Sequence, residues 1–155
     1  MADQPAPADP HAREDRELIE VLNELRIVLP GALMLFAFLM SMPFSARFAE
    51  ISGLEMLAYF SAFLCSGTAA VFLMTPTAYH RLRWRKDDKE ALLRATNRLC
   101  LGGIAFLALA IVSAVGLVVD IAISNLAGML ASIATAGLIV TLWFGLPLDR
   151  TRRKG

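Results

Sequence analysis

The stretch HRLRWRKDDKEALLRATNR, residues 80–98, holds seven basic and three acidic side chains. The runs on either side of it, residues 54–75 and 99–119, carry almost no charge. A basic island between two apolar runs has three readings: a nucleic-acid patch, a calmodulin-like target helix, or a loop held on one side of a membrane. The choice among them decides the fold.

The rest of the chain points to the third. Of its 155 residues, 57% are hydrophobic, against roughly 45–50% in soluble domains. Mean hydropathy is +0.58. Four apolar runs stand out, at residues 27–46, 54–75, 99–119 and 126–146. Each has the length of about 20 residues that a helix needs to cross a hydrocarbon core of ~30 Å. Four such helices in a soluble bundle would have no polar face to show to water. The fold class is therefore all-α: a four-helix transmembrane bundle.

Charge then orients the spans. Fourteen of the 15 basic residues fall before the first run, between the second and third, or after the fourth; only Arg47 falls elsewhere. Basic residues concentrate on the cytoplasmic side of membrane proteins. The expectation is a multi-pass protein of the inner or plasma membrane with both termini in the cytoplasm. The island becomes a cytoplasmic loop. Its Arg83, Trp84, Arg85 and Lys86 are candidate contacts for anionic lipid headgroups, each base contributing about 1 kcal/mol near the surface. Nucleic acid is not an expected partner, because Asp87, Asp88 and Glu90 interrupt the patch and no binding fold accompanies it.

Three segments flank the spans. Residues 1–12, rich in Pro, Ala and Asp, are expected to be a disordered tail, and residues 149–155 form a basic cytoplasmic tail. The membrane domain covers residues 13–148. No charged and apolar pattern of a cleaved leader precedes it. Leu18, Leu22, Leu25 and Leu29 recur at steps of four, three and four, which predicts an amphipathic cytoplasmic helix running into span 1. Asp87 or Asp88 can cap a second helix in the loop between spans 2 and 3, continuing into span 3. Residues 13–26 carry a net charge of −2 and residues 80–98 a net charge of +4. The two helices either pack together beneath the membrane or lie separately on lipid.

At the deep positions of the spans the polar residues are small: Ser41, Ser61, Cys65, Ser66, Thr68, Ser113, Ser132, Thr135 and Thr141. Pumps and proton-coupled transporters place ionisable groups there. Asp120 stands at the outer end of span 3. Small residues at Ala62, Ser66 and Ala70, and at Gly128, Ser132 and Ala136, form ladders that let helices approach closely. The two cysteines, Cys65 and Cys100, have no partner at metal-ligand spacing. Metal-protease, P-loop, nucleotide-fold and serine-nucleophile motifs are all missing. The sequence predicts no enzyme, no cofactor and no metal.

NELRIVLPG at residues 23–31, PF at 43–44 and PTAYHR at 76–81 together resemble the signature of a family of small bacterial four-span membrane proteins of unknown function. The resemblance runs over residues 15–148. Some members of that family carry the label sodium:proton antiporter. The resemblance implies a cluster at the cytoplasmic rim made of Glu24, Arg26, Pro30, Gly31, Pro76, His80 and Arg81, acting as a clamp or a gate. Glu24 would pair with Arg81, while His80 approaches the carbonyl that Pro30 frees.

The leading expectation is a non-enzymatic accessory or scaffolding protein whose partners are membrane lipid and either further copies of the chain or another membrane protein. The alternative is a small transporter or channel, such as a sodium:proton antiporter working as an oligomer.

Overall fold

The computed structural model describes the backbone of residues 10–51, 53–82 and 89–145, and the side chains of 19–20, 23–51, 53–78 and 95–143. The expected tails at 1–12 and 149–155 lie outside the described residues, except that a helix already begins at Pro10. Arg83, Trp84, Arg85 and Lys86 also lie outside them, as do the capping aspartates.

Four long helices are described: α1 (Pro10–Ser41), α2 (Gly53–Leu82), α3 (Lys89–Ala122) and α4 (Asn125–Ile139). No strand occurs among the described residues. Two short 3-10 turns, Met42–Phe44 and Ala46–Glu50, join α1 to α2, and α4 ends in a wider turn at Val140–Gly145. The amphipathic helix before span 1 is continuous with that span, since α1 runs through Pro30 without a break. Likewise α3 starts in the polar loop and runs on into the third span. Pro76 also lies inside its helix, α2, rather than at its end.

Four segments are long and apolar enough to cross a membrane: Asn23–Phe44, Gly53–Ala78, Ala95–Ala122 and Asn125–Trp143, with mean hydropathies of 2.1, 1.8, 2.6 and 1.9. Small residues are concentrated in the interior, alongside Leu39, Leu73, Leu107 and Leu117. The interior holds Ala32, Ala62, Ser66, Ala69 and Ala110, while Ile27, Phe38, Phe44, Leu57 and Ile133 are exposed. In water this would place the largest apolar side chains on the wrong side. In lipid no hydrophobic force drives helices together, and small residues win the interior because they let backbones approach and gain dispersion contact.

The helices pair in chain order. α2 and α3 form the central seam, α1 lies on α2 and also reaches α3, and α4 lies on α3. Among the described residues no Cα of α4 lies within 8 Å of a Cα of α1 or α2. Two clusters fill the seams. One joins Leu25, Ala32, Ala69, Leu73, Cys100 and Leu107. The other, nearer the α1–α2 turn, joins Leu39, Tyr59, Ala62 and Leu117. The ladder Ala62, Ser66, Ala70 on α2 is buried throughout.

The end of α1 shows how backbone groups are satisfied without water. The Leu39 carbonyl would bond the amide four residues on, but that residue is Pro43, which has no N–H. The Tyr59 hydroxyl donates to the Leu39 carbonyl instead, at 3.0 Å, from the neighbouring helix. Ser41 Oγ donates to the Phe38 carbonyl at 2.7 Å. Ser45 supplies its amide and its hydroxyl to Met42. Phe48 and Phe60 meet the Tyr59 ring edge-on. Tyr59→Phe is expected to cost about 1–2 kcal/mol, the penalty of an orphaned buried carbonyl. In a Pro43→Ala background an amide is restored at that position, and the same substitution should cost under about 0.5 kcal/mol. Equilibrium unfolding of the four proteins in mixed micelles measures this cycle; equal penalties in both backgrounds would show that Tyr59 does not serve this carbonyl.

Candidate functional site

Of the rim residues taken from the family pattern, Glu24 and Arg26 do not share one face of α1. Successive helical residues turn by about 100°, so Glu24 and Arg26 lie about 200° apart around α1, on opposite flanks of its buried stripe. That stripe runs through Leu25, Ala32 and Leu39. Arg26 and Pro30 share the other flank and are exposed. Gly31 is exposed too, with no atom within 4 Å of the place a Cβ would occupy. Pro76, by contrast, is buried in α2. His80 and Arg81 belong to the last turn of α2, but their side chains lie outside the described ones.

Glu24 instead borders a cavity of about 250 Å³ between α1, α2 and α3, lined by Leu25, Leu73, Asn97, Cys100 and Ile104. Leu25 of α1 therefore lies across this cavity from the start of α3. Leu25 packs in one cluster with Cys100, and Thr96, one turn before it, is buried. At this level the start of span 1 lies beside the start of span 3, while the side chains of Leu18, Leu22 and Leu92 lie outside the described ones.

The ladder on α4 is used unevenly. Gly128 is buried against α3: a Cβ there would lie 2.8 Å from the Gly116 carbonyl oxygen and 3.0 Å from the Asp120 Cα. Facing it, a Cβ on Gly116 would run into Ser132 Oγ. The glycines thus let α3 and α4 touch backbone to backbone. Ser132 Oγ donates back to the Gly128 carbonyl at 3.0 Å. Ser132 and Ala136 are half-buried.

Several hydroxyls in the spans are closed onto their own helices. Ser66 Oγ donates to the Phe63 carbonyl, Thr75 Oγ1 to Val71 and Thr141 Oγ1 to Gly137. Such back-bonding satisfies a polar group without lining a path. One pair does cross between helices: Ser61 Oγ and Ser113 Oγ lie 3.2 Å apart on α2 and α3.

Above that pair, α2 and α4 stand apart over α3 and leave a groove of about 320 Å³. Its polar lining is Ser113, Asp120, Asn125 and Ser132, and its apolar lining includes Leu54 and Met129. Asn125 Nδ2 donates to Asp120 Oδ2 at 3.5 Å, a long bond. Sequence reading placed Asp120 at the end of span 3 but did not see it join a groove. Ser113, Gly116 and Asp120, spaced three and four apart on one helix face, were the available signal.

Apolar length, exposed large apolar side chains and helices without polar faces define a multi-pass membrane protein. Residues 8–147 match the family of unknown function DUF6328, and the chain belongs to that family. No curated protein and no solved structure gives a match.

Proposed function

We propose that the protein is a non-enzymatic accessory or scaffolding subunit of a bacterial inner membrane, with both termini in the cytoplasm. The observation that supports this most is the lateral surface of α4. That helix buries only Gly128 and leaves Leu126, Leu130, Ile133 and Leu138 exposed. A helix that touches one neighbour and offers the rest of its circumference suits lateral association with lipid or another membrane protein. The distribution of basic residues supports the cytoplasmic placement of the ends.

Gentle extraction of the tagged protein from its native membrane tests the reading, with mass determination and identification of what stays bound. A stoichiometric foreign membrane protein is the expected result. A homo-oligomer that carries cation flux in liposomes would overturn it and make the protein a small transporter, such as a cation:proton antiporter.

A further inference from the structure

The groove between α2 and α4 lies at the end of the molecule where α1 turns into α2 and α3 turns into α4. Its floor is closed, because Gly116 and Gly128 bring α3 and α4 together backbone to backbone. Its sides stay apart, since among the described residues no Cα of α4 lies within 8 Å of a Cα of α2. It is open to the surroundings along its length, and Leu54, Ala58, Val112 and Met129 supply apolar wall. A slot of about 320 Å³ inside a bilayer is filled by the solvent of that phase, an acyl chain.

The mouth of the slot selects the headgroup. Asp120 is two residues from the end of its helix and of the apolar span, at headgroup depth. Asn125 opens the next span beside it. Among the described residues no lysine, arginine or histidine lines the groove. Asp120's one hydrogen bond to a described side chain is the long one from Asn125. The charge at the mouth is therefore negative and accepts hydrogen bonds. An anionic headgroup meets a like charge there. A quaternary ammonium brings positive charge but no N–H. A primary ammonium brings the charge and three donors.

We propose that this groove is a binding site for a phospholipid with a primary ammonium headgroup, of the phosphatidylethanolamine class. The acyl chain lies along Leu54, Ala58 and Met129, and the ammonium donates to the Asp120 carboxylate.

Native mass spectrometry of the detergent-solubilised protein tests this. Phosphatidylethanolamine, phosphatidylcholine and phosphatidylglycerol with identical acyl chains are titrated in parallel. The wild-type protein should retain phosphatidylethanolamine about five-fold better than phosphatidylglycerol, the size of one partly exposed ammonium–carboxylate pair, and about two- to three-fold better than phosphatidylcholine, which keeps the charge but not the N–H donors. Asp120→Asn should bring phosphatidylethanolamine down to the level of phosphatidylcholine, and Asp120→Glu should keep most of the preference. Ala58→Phe, which fills the slot without touching the carboxylate, should reduce retention of all three. Equal retention of the three lipids by the wild-type protein overturns the proposal, whether or not the variants fold. So does an Asp120→Asn protein that keeps the preference, or a dimer that excludes lipid from the groove.

Discussion

Gly128→Leu is expected to release α4 from the rest of the molecule. The position has no space for any side chain: the nearest obstacles to a Cβ include the Gly116 carbonyl oxygen at 2.8 Å and the Asp120 Cα at 3.0 Å. These are backbone atoms and cannot rotate away. Overpacking of a well-filled seam costs typically about 1–3 kcal/mol where side chains absorb the change. Here the two helices must separate, so about 3 kcal/mol or more is expected. Among the described residues no Cα of α1 or α2 lies within 8 Å of a Cα of α4, so α4 docks chiefly on α3. Two measurements check it. Unfolding in mixed micelles should lose that amount, and a cysteine placed at Ser132 should become reactive to maleimide. An unchanged unfolding free energy would show that α4 does not dock through Gly128.

Leu73→Ala is the second large effect. Leu73 is 1% exposed and sits where α1, α2 and α3 converge, packed with Leu25, Ala69 and Cys100. It also forms a wall of the cavity beside Glu24, so truncation enlarges a space that already exists. In soluble cores Leu→Ala costs about 2–5 kcal/mol, part of it transfer from water and part the cavity left behind. In a bilayer the separated helices stay in an apolar phase, which removes most of the transfer contribution. The expected loss is therefore near the lower end, about 2 kcal/mol. It should appear as a lower unfolding midpoint with the helical circular dichroism of the folded state unchanged. A loss below about 0.5 kcal/mol would mean that α1 does not press on this seam.

The four spans were legible because hydrocarbon thickness sets a length that composition reveals directly. Among the described residues the apolar helix segments Asn23–Phe44, Gly53–Ala78, Ala95–Ala122 and Asn125–Trp143 overlap the four runs read from the sequence. The packing order was not legible. In lipid an exposed leucine and a buried one look alike in the sequence, and only small residues betray a seam. That signal worked at Ala62, Ser66 and Ala70, which are buried. On α4 it marks Gly128 strongly and Ala136 weakly, since closeness at a helix crossing falls off with distance from the crossing point. Which rim residues share a face was not legible for a different reason. Glu24 and Arg26 are close in a motif, but two residues along a helix point to opposite flanks. The groove at Asp120 was invisible because its lining comes from three helices, and pairing in chain order had to be known first.

Packing in chain order also bears on how the molecule is made. A chain leaves the ribosome from its N-terminus, at about 5–20 residues per second. Each new helix here docks on the one just delivered, so no span must wait for a distant partner. The exception is local and brief: the Leu39 carbonyl acquires its donor only when Tyr59, the next hairpin arm, has followed it into the bilayer. Assembly can therefore proceed hairpin by hairpin during synthesis, with α4 arriving last onto a surface that is already complete.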